Sequence, residues 1–239
     1  MPAPTIVFQA PLPRETLIKW KRHLPSSQQE DIFPQAFRDS MFIREEVFTR
    51  EQKAVPIKHH TDADDARSYL WVLYAPADED SSDEPNPIGT VRLVPFPQAH
   101  PHPVAGSAWD APTEDLAAED ASTIFSRPAP PYFVDQASSL HDGIEPYILI
   151  GRLCVLEEFR GKRYANLLVD AALNWATAHP EKVGMSGNGV PEWKGLVGIL
   201  AQVRAQTAWE RNGFVVDEQL GTCLVAGREH VSMFRRLKI

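Results

Sequence analysis

The stretch "RLCVLEEFRGKRYANLL", residues 152–168, decides the fold. It begins apolar, passes Glu157 and Glu158, and turns through Arg160, Gly161, Lys162 and Arg163 into a helix. From Tyr164 onward, Leu167, Leu168, Ala171, Ala172 and Trp175 return at helical spacing, while Asn166, Asp170 and Asn174 take the other side. Pro180 ends that helix. Upstream, "YILIGRLCVL" is apolar on both parities except at Arg152, which predicts a central strand covered on both faces. A strand feeding a helix through a glycine turn leaves the first helical N–H groups unpaired, with the positive end of the helix dipole behind them. Such a corner holds phosphate readily. Gly161 permits close backbone approach, Ala165 is small, and Arg160, Lys162 and Arg163 add positive charge at the rim. The run matches neither the nucleotide-triphosphate loop nor the dinucleotide glycine pattern. Residues alone therefore read as an anion corner, with a plain solvated turn as the bland alternative.

Working outward, a short strand is predicted over residues 4–9, helical material over 13–24 and 28–48, and a strand at "YLWVLYA". Phe37, Met41, Arg44 and Phe48 share one helical face. The acidic, proline-punctuated loop at 75–87 separates "YLWVLYA" from a second strand, "IGTVRLVPF", as in a hairpin with a long solvated connection. Residues 97–145 read as an insertion, with an acidic helix near Thr113 to Asp120 and a solvent loop at "HPHPV". Beyond the long helix come a strand at "KGLVGILAQ", a helix at "VRAQTAWERN" closed by Gly213, and strands at "FVVD", "GTCLVAG" and "HVSMFRRL". The expectation is one α/β (α+β) layered domain over residues 1–239.

With 24 basic against 32 acidic residues, the net charge of -8 argues against nucleic-acid binding. No metal-ligand set is apparent, and His100 and His102, flanked by proline, read as loop residues. Cys154 and Cys223, both in apolar stretches, read as core thiols of a reducing compartment. There is no leader-like start and no run of eighteen apolar residues, so membrane partnership is not expected and the cytoplasm, with the nucleus as an alternative, is the expected location.

The segments together resemble the GNAT superfamily of acyl-CoA-dependent N-acyltransferases. "RLCVLEEFRGKRYANLL" is similar to the family's acetyl-CoA signature, (Q/R)xxGx(G/A), with Arg160 in the first place, Ala165 in the last, and Arg163 where the family has its first glycine. "SMFIREEVFTREQKAVP", "WVLYA" with "IGTVRLVP", "GLVGILAQVRAQTAWERNGF" and "REHVSMFRRL" resemble further family segments in the right order, over residues 37–96 and 146–239. The resemblance implies a GNAT fold: a central mixed, mostly antiparallel sheet splayed between its fourth and fifth strands, flanked by helices, with 97–145 inserted between the third and fourth. It also implies acetyl-CoA as cosubstrate and no metal. Amides from Arg160, Gly161, Lys162, Arg163, Tyr164 and Ala165 would grip the pyrophosphate, Leu153 and Val155 would meet the pantetheine arm or the acetyl carbonyl, and a strand amide near Cys154 or Val155 would face the oxyanion.

The implied reaction is direct attack of a primary amine of a small acceptor on the thioester. Trp209 stands where the family has its acid tyrosine, and an indole cannot supply a proton near neutral pH. His230 and Glu229, in the closing strand, are the candidates for the base. The departure at Trp209 motivates a second reading, a non-catalytic acyl-CoA-binding protein. The family's acceptor region corresponds to Arg44 to Asp65, where His59, His60, Asp62, Asp64 and Asp65 either recognise a cationic amine or form a solvated loop. Arg92 and Arg152, inside apolar strands, each require a carboxylate or a ligand. The C-terminal edge strand offers a surface for a homodimer.

Overall fold

The computed structural model describes residues 3–76, 86–184, 187 and 189–239. In chain order the strands are β1 (Thr5–Gln9), β2 (Tyr69–Tyr74), β3 (Pro87–Val94), β4 (Ala108–Trp109), β5 (Ile148–Val155), β6 (Leu196–Gln202), β7 (Val215–Val216), β8 (Thr222–Val225) and β9 (Arg228–Arg236). The α-helices are α1 (Arg14–Leu17), α2 (Gln35–Arg44), α3 (Ala121–Ile124), α4 (Tyr164–Ala178) and α5 (Gln206–Glu210). They divide into two compact units, the first made of Met1–Arg92, Pro112–Arg127 and Arg152–Ala172, the second of Leu93–Ala111, Pro128–Gly151 and Leu173–Ile239. No helix among the described residues is long and apolar enough to cross a membrane.

In the first unit the hydrogen-bonded strand order is β1-β2-β3-β5. β1 and β2 run antiparallel, from Thr5↔Tyr74 to Gln9↔Leu70. Leu17, Trp20, Phe33, Phe37, Met41, Leu70 and Ile124 form one apolar cluster, in which Trp20 stands edge-on to Phe33 and Phe37 at ring separations of 5.0 and 5.3 Å. Ile43, Val47, Val72, Tyr74 and Cys154 form another. Of the predicted face, Phe37, Met41 and Arg44 are buried and Phe48 is half-buried. Helix α2 starts only after Pro34, whose ring suits the first turn and ends what precedes it, and continues as a π-helix over Glu45–Glu51. The helix expected over 28–48 is thus shorter at its start, and the one over 13–24 shrinks to the four residues of α1. No helix forms over 113–120 either: Asp120 caps α3 instead, accepting from the Thr123 N–H.

In the second unit the order is β5-β6-β9-β8-β4, with β7 also paired to β9. β6 and β9 run antiparallel over seven pairs, Leu196↔Arg236 to Gln202↔His230. β5 and β6 run parallel, with register at Ile148↔Val197 and Leu149↔Gly198. Tyr147, Leu196, Leu220 and Phe234 make the apolar centre here. Strand β5 is less enclosed than the sequence suggests: Ile148 and Ile150 are buried, whereas Leu149, Gly151 and Leu153 are only half-buried, so one face carries most of the packing. Of the acidic connection at 75–87, residues 77–85 lie outside the described residues.

Candidate functional site

The corner that follows β5 has the form its sequence demands. Leu156 donates its N–H to the Ile88 carbonyl at 2.9 Å, and a single tight turn over Glu157–Phe159 follows. Two residues then adopt left-handed backbone, Gly161 at φ 78° and Arg163 at φ 62°, before α4 begins at Tyr164. Among the described residues the N–H groups of Gly161, Lys162 and Arg163 donate to no backbone carbonyl. A Cβ on Gly161 would meet nothing within 4 Å, so the space over the turn is open. Free amides, an open approach and fifteen residues of helix dipole meet at one place.

The rim charges are not equivalent. Arg160 is already engaged: its Nε donates to the Val155 carbonyl at 2.8 Å, and its two terminal nitrogens grip Glu51 at 2.9 and 2.5 Å. Its guanidinium therefore braces the turn, and the expectation that it adds free rim charge is corrected. Lys162 lies over the Phe159 ring at 5.3 Å, and both Lys162 and Arg163 are exposed. Gly89 is closely packed, since an added Cβ would sit 3.1 Å from Leu168 and 3.2 Å from the Cys154 carbonyl. Cys154 is a core residue, its thiol pushed up to about 12 by burial, and is no nucleophile.

In the same unit lies an ion-pair network whose Arg44–Asp65 centre is buried. Arg44, fully buried, grips Asp65 through two nitrogens at 2.7 and 3.1 Å and donates to the His60 carbonyl. Arg92 donates to Asp62 at 2.7 Å and Asp65 at 2.8 Å, and Arg152 to Asp62 at 2.7 Å. Burial by itself would raise the Asp62 carboxyl, but the guanidiniums of Arg92 and Arg152 outweigh it and hold the group well below the usual range. Asp65 is held low in the same way, chiefly by Arg44. Both arginines expected to need carboxylates have them. Arg152 also carries strain, with φ 51° inside a strand.

The solvated-loop expectation for residues 59–65 does not survive. Asp62 and Asp65 cap the turn over Ala63–Ala66 reciprocally, Asp65 and His60 are buried, Asp64 pairs with Arg67, and His59 meets the Leu116 carbonyl. The segment is not a solvated loop, and Asp62, Asp64 and Asp65 are each paired with an arginine. Sequence reasoning missed the shared network, although arginines in apolar strands and the Asp-x-x-Asp spacing of a capping box were both legible signals. Glu45, also buried, accepts from the Ser26 N–H and lies 3.6 Å from His60. Burial pushes Glu45 up to about 7 and His60 down to about 4.

The proposed catalytic residues lie in the second unit. His230 on β9 is buried, with Nδ1 donating to the Arg228 carbonyl at 2.9 Å, and burial lowers its pKa. Glu229 beside it is exposed. Trp209 on α5 is buried edge-on to Phe214 at 5.2 Å, the position of a packing residue. His102 corrects the solvent-loop expectation: it is buried, and its acidic partner is Asp135, 3.6 Å away and 33 positions on.

No family model matches the chain, and no curated protein does either. Solved structures do. An acyl-CoA N-acyltransferase from Pseudomonas aeruginosa aligns with 98% of this chain and 99% of its own at 15% identity and a TM-score of 0.51. BjaI, a CoA-dependent acyl-homoserine lactone synthase, aligns with 99% of this chain and 84% of its own at 12% identity and 0.52. The chain has the GNAT fold: a mixed sheet flanked by helices, matched over nearly its whole length.

Proposed function

We propose that this protein is an acyl-CoA-dependent N-acyltransferase that moves an acetyl group from acetyl-CoA to the primary amine of a small acceptor. The observation that carries the reading is the corner after β5, where left-handed Gly161 and Arg163 leave free amides at the start of α4. Leu153, Cys154 and Val155 lead into it, and the amides of Arg160 to Ala165 would take the pyrophosphate. The fold adds support, since two of the solved structures it resembles are an acyl-CoA N-acyltransferase and a CoA-dependent synthase.

In the reaction the amine lone pair attacks the thioester carbon, a C–N bond forms, the C–S bond breaks, and the thiolate leaves as the amine gives up a proton. Strand N–H groups near Cys154 or Val155 suit the oxyanion. His230, an imidazole in the closing strand, is the candidate to receive the amine proton. The buried Trp209 cannot protonate the thiolate, so water or the acceptor's own proton does so. That same residue favours the second reading, a coenzyme-binding protein without turnover.

Calorimetric titration with acetyl-CoA and desulfo-coenzyme A tests the coenzyme half. Both should bind, and Gly161→Glu, which adds negative charge where space is open, should weaken both at least about tenfold, a loss of ~1.4 kcal/mol. No binding to the unmodified protein would end both readings. Binding without thiol release against a panel of aminosugars, polyamines, arylamines and peptide N-termini would favour the non-catalytic one.

A further inference from the structure

We propose that His102, Asp135 and His141, in the second unit, form a binding site for a divalent transition ion of the zinc class. One ligand atom from each of the three lies within 4.8 Å of those of the other two. His102 Nε2 lies 3.6 Å from Asp135 Oδ2. Donors around a tetrahedral ion with bonds of about 2.0–2.1 Å stand roughly 3.3 Å apart.

The nitrogen atoms ask for a partner. His102 Nε2 and His141 Nδ1 are both buried and make no hydrogen bond among the described residues. His141 is already oriented as metal-bound imidazoles are: Nε2 donates to the Glu145 carbonyl at 2.6 Å, which leaves the lone pair on Nδ1, the unpartnered atom. Asp135 is held in place by the N–H groups of His102 and Gln136. Tyr147 stacks on His102 at 4.4 Å, and Phe234 stands edge-on to it at 4.8 Å, so apolar rings wall the set. Asp135, His141 and Tyr147 also line a surface depression shared with Phe96 and Gln98, which gives an ion a way in. Two imidazoles and one carboxylate suit zinc and its neighbours, not calcium or magnesium. Such an ion would fasten two distant parts of the 97–145 segment together.

The full chain, stripped with a chelator, would be titrated with Zn²⁺ by calorimetry and with Co²⁺ by visible absorption. One equivalent of each should bind, with Co²⁺ giving ligand-field bands and broadening the Tyr147 and Phe234 ring signals in NMR spectra. Asp135→Asn, which keeps an oxygen for the two N–H groups, and His141→Gln should each weaken binding at least about tenfold. His179→Gln, a histidine stacked on Trp175, should leave it unchanged. Absence of Zn²⁺ binding to the unmodified chain overturns the proposal, and so does binding that persists in both site variants. If a variant fails to fold, the ring signals decide: Co²⁺ that leaves Tyr147 and Phe234 sharp is bound elsewhere, and the site is refuted.

Discussion

Arg163 holds a left-handed backbone at φ 62° in the turn that opens α4. A side chain there costs about 1–2 kcal/mol, part of which glycine would return as freedom of the unfolded chain. Arg163→Gly should therefore raise stability by up to about 1 kcal/mol in urea unfolding; a loss instead would mean that the arginine side chain makes a stabilising contact. Gly161 needs its freedom more visibly, at φ 78°, and Gly89 is tightly packed. Cys154 gives a second residue-scale test. With its thiol pushed up to about 12 by burial, it should resist iodoacetamide in the native protein at pH 8 and react once the chain is unfolded. Rapid native alkylation mapped to Cys154 would show an open thiolate instead.

At the scale of elements, α2 brings Arg44 onto its apolar face, and the turn over Ala63–Ala66 supplies Asp65 to meet it. Removing one partner of a fully buried pair leaves the other uncompensated, so Arg44→Met should cost about 3–5 kcal/mol, read by denaturant unfolding. A cost below ~1 kcal/mol would mean that water reaches Asp65. Glu45 and His60 make opposite contributions with pH. Glu45 is raised from its ordinary 4.5 to about 7, so its contribution is complete below 4.5 and disappears as pH rises through 7. His60 is lowered from 6.5 to about 4, so its contribution is present above 6.5 and disappears as pH falls through 4. The two slopes cancel between about 4.5 and 6.5. Glu45→Gln should remove the falling slope toward pH 7 and leave the acid-side loss, measured as unfolding free energy across pH 4–8; an unchanged profile would refute the raised carboxyl.

For the whole molecule, a ligand that binds only the folded chain stabilises it by mass action. Acetyl-CoA at a hundred times its dissociation constant should contribute about 2.7 kcal/mol and raise Tm by roughly 5–10 °C. Unchanged melting at saturating coenzyme would contradict the proposed function. Much of this molecule was legible along the chain. Strands β1, β2, β3, β5, β6, β8 and β9 and helix α4 follow patterns of apolar residues and turns that act over a few positions. The corner was legible for the same reason, being one contiguous run. The helices expected over 13–24 and 113–120 failed because neighbouring proline and capping chemistry outweighed local propensity.

By itself the sequence determined the strand-turn-helix at residues 152–168, the order of elements around it, and the need of Arg92 and Arg152 for charged partners. Each of these depends on local periodicity, on the stereochemistry of a turn, or on the cost of burying a charge. Tertiary structure alone decided which groups answer that need: Asp62 and Asp65 for the arginines, Glu51 for Arg160, and Asp135 and His141 beside His102. Those partners lie from 21 to 109 positions apart in pairs such as Arg44 with Asp65 and Arg160 with Glu51. Their meeting is set by sheet register and core packing, and no short-range pattern of residues encodes it.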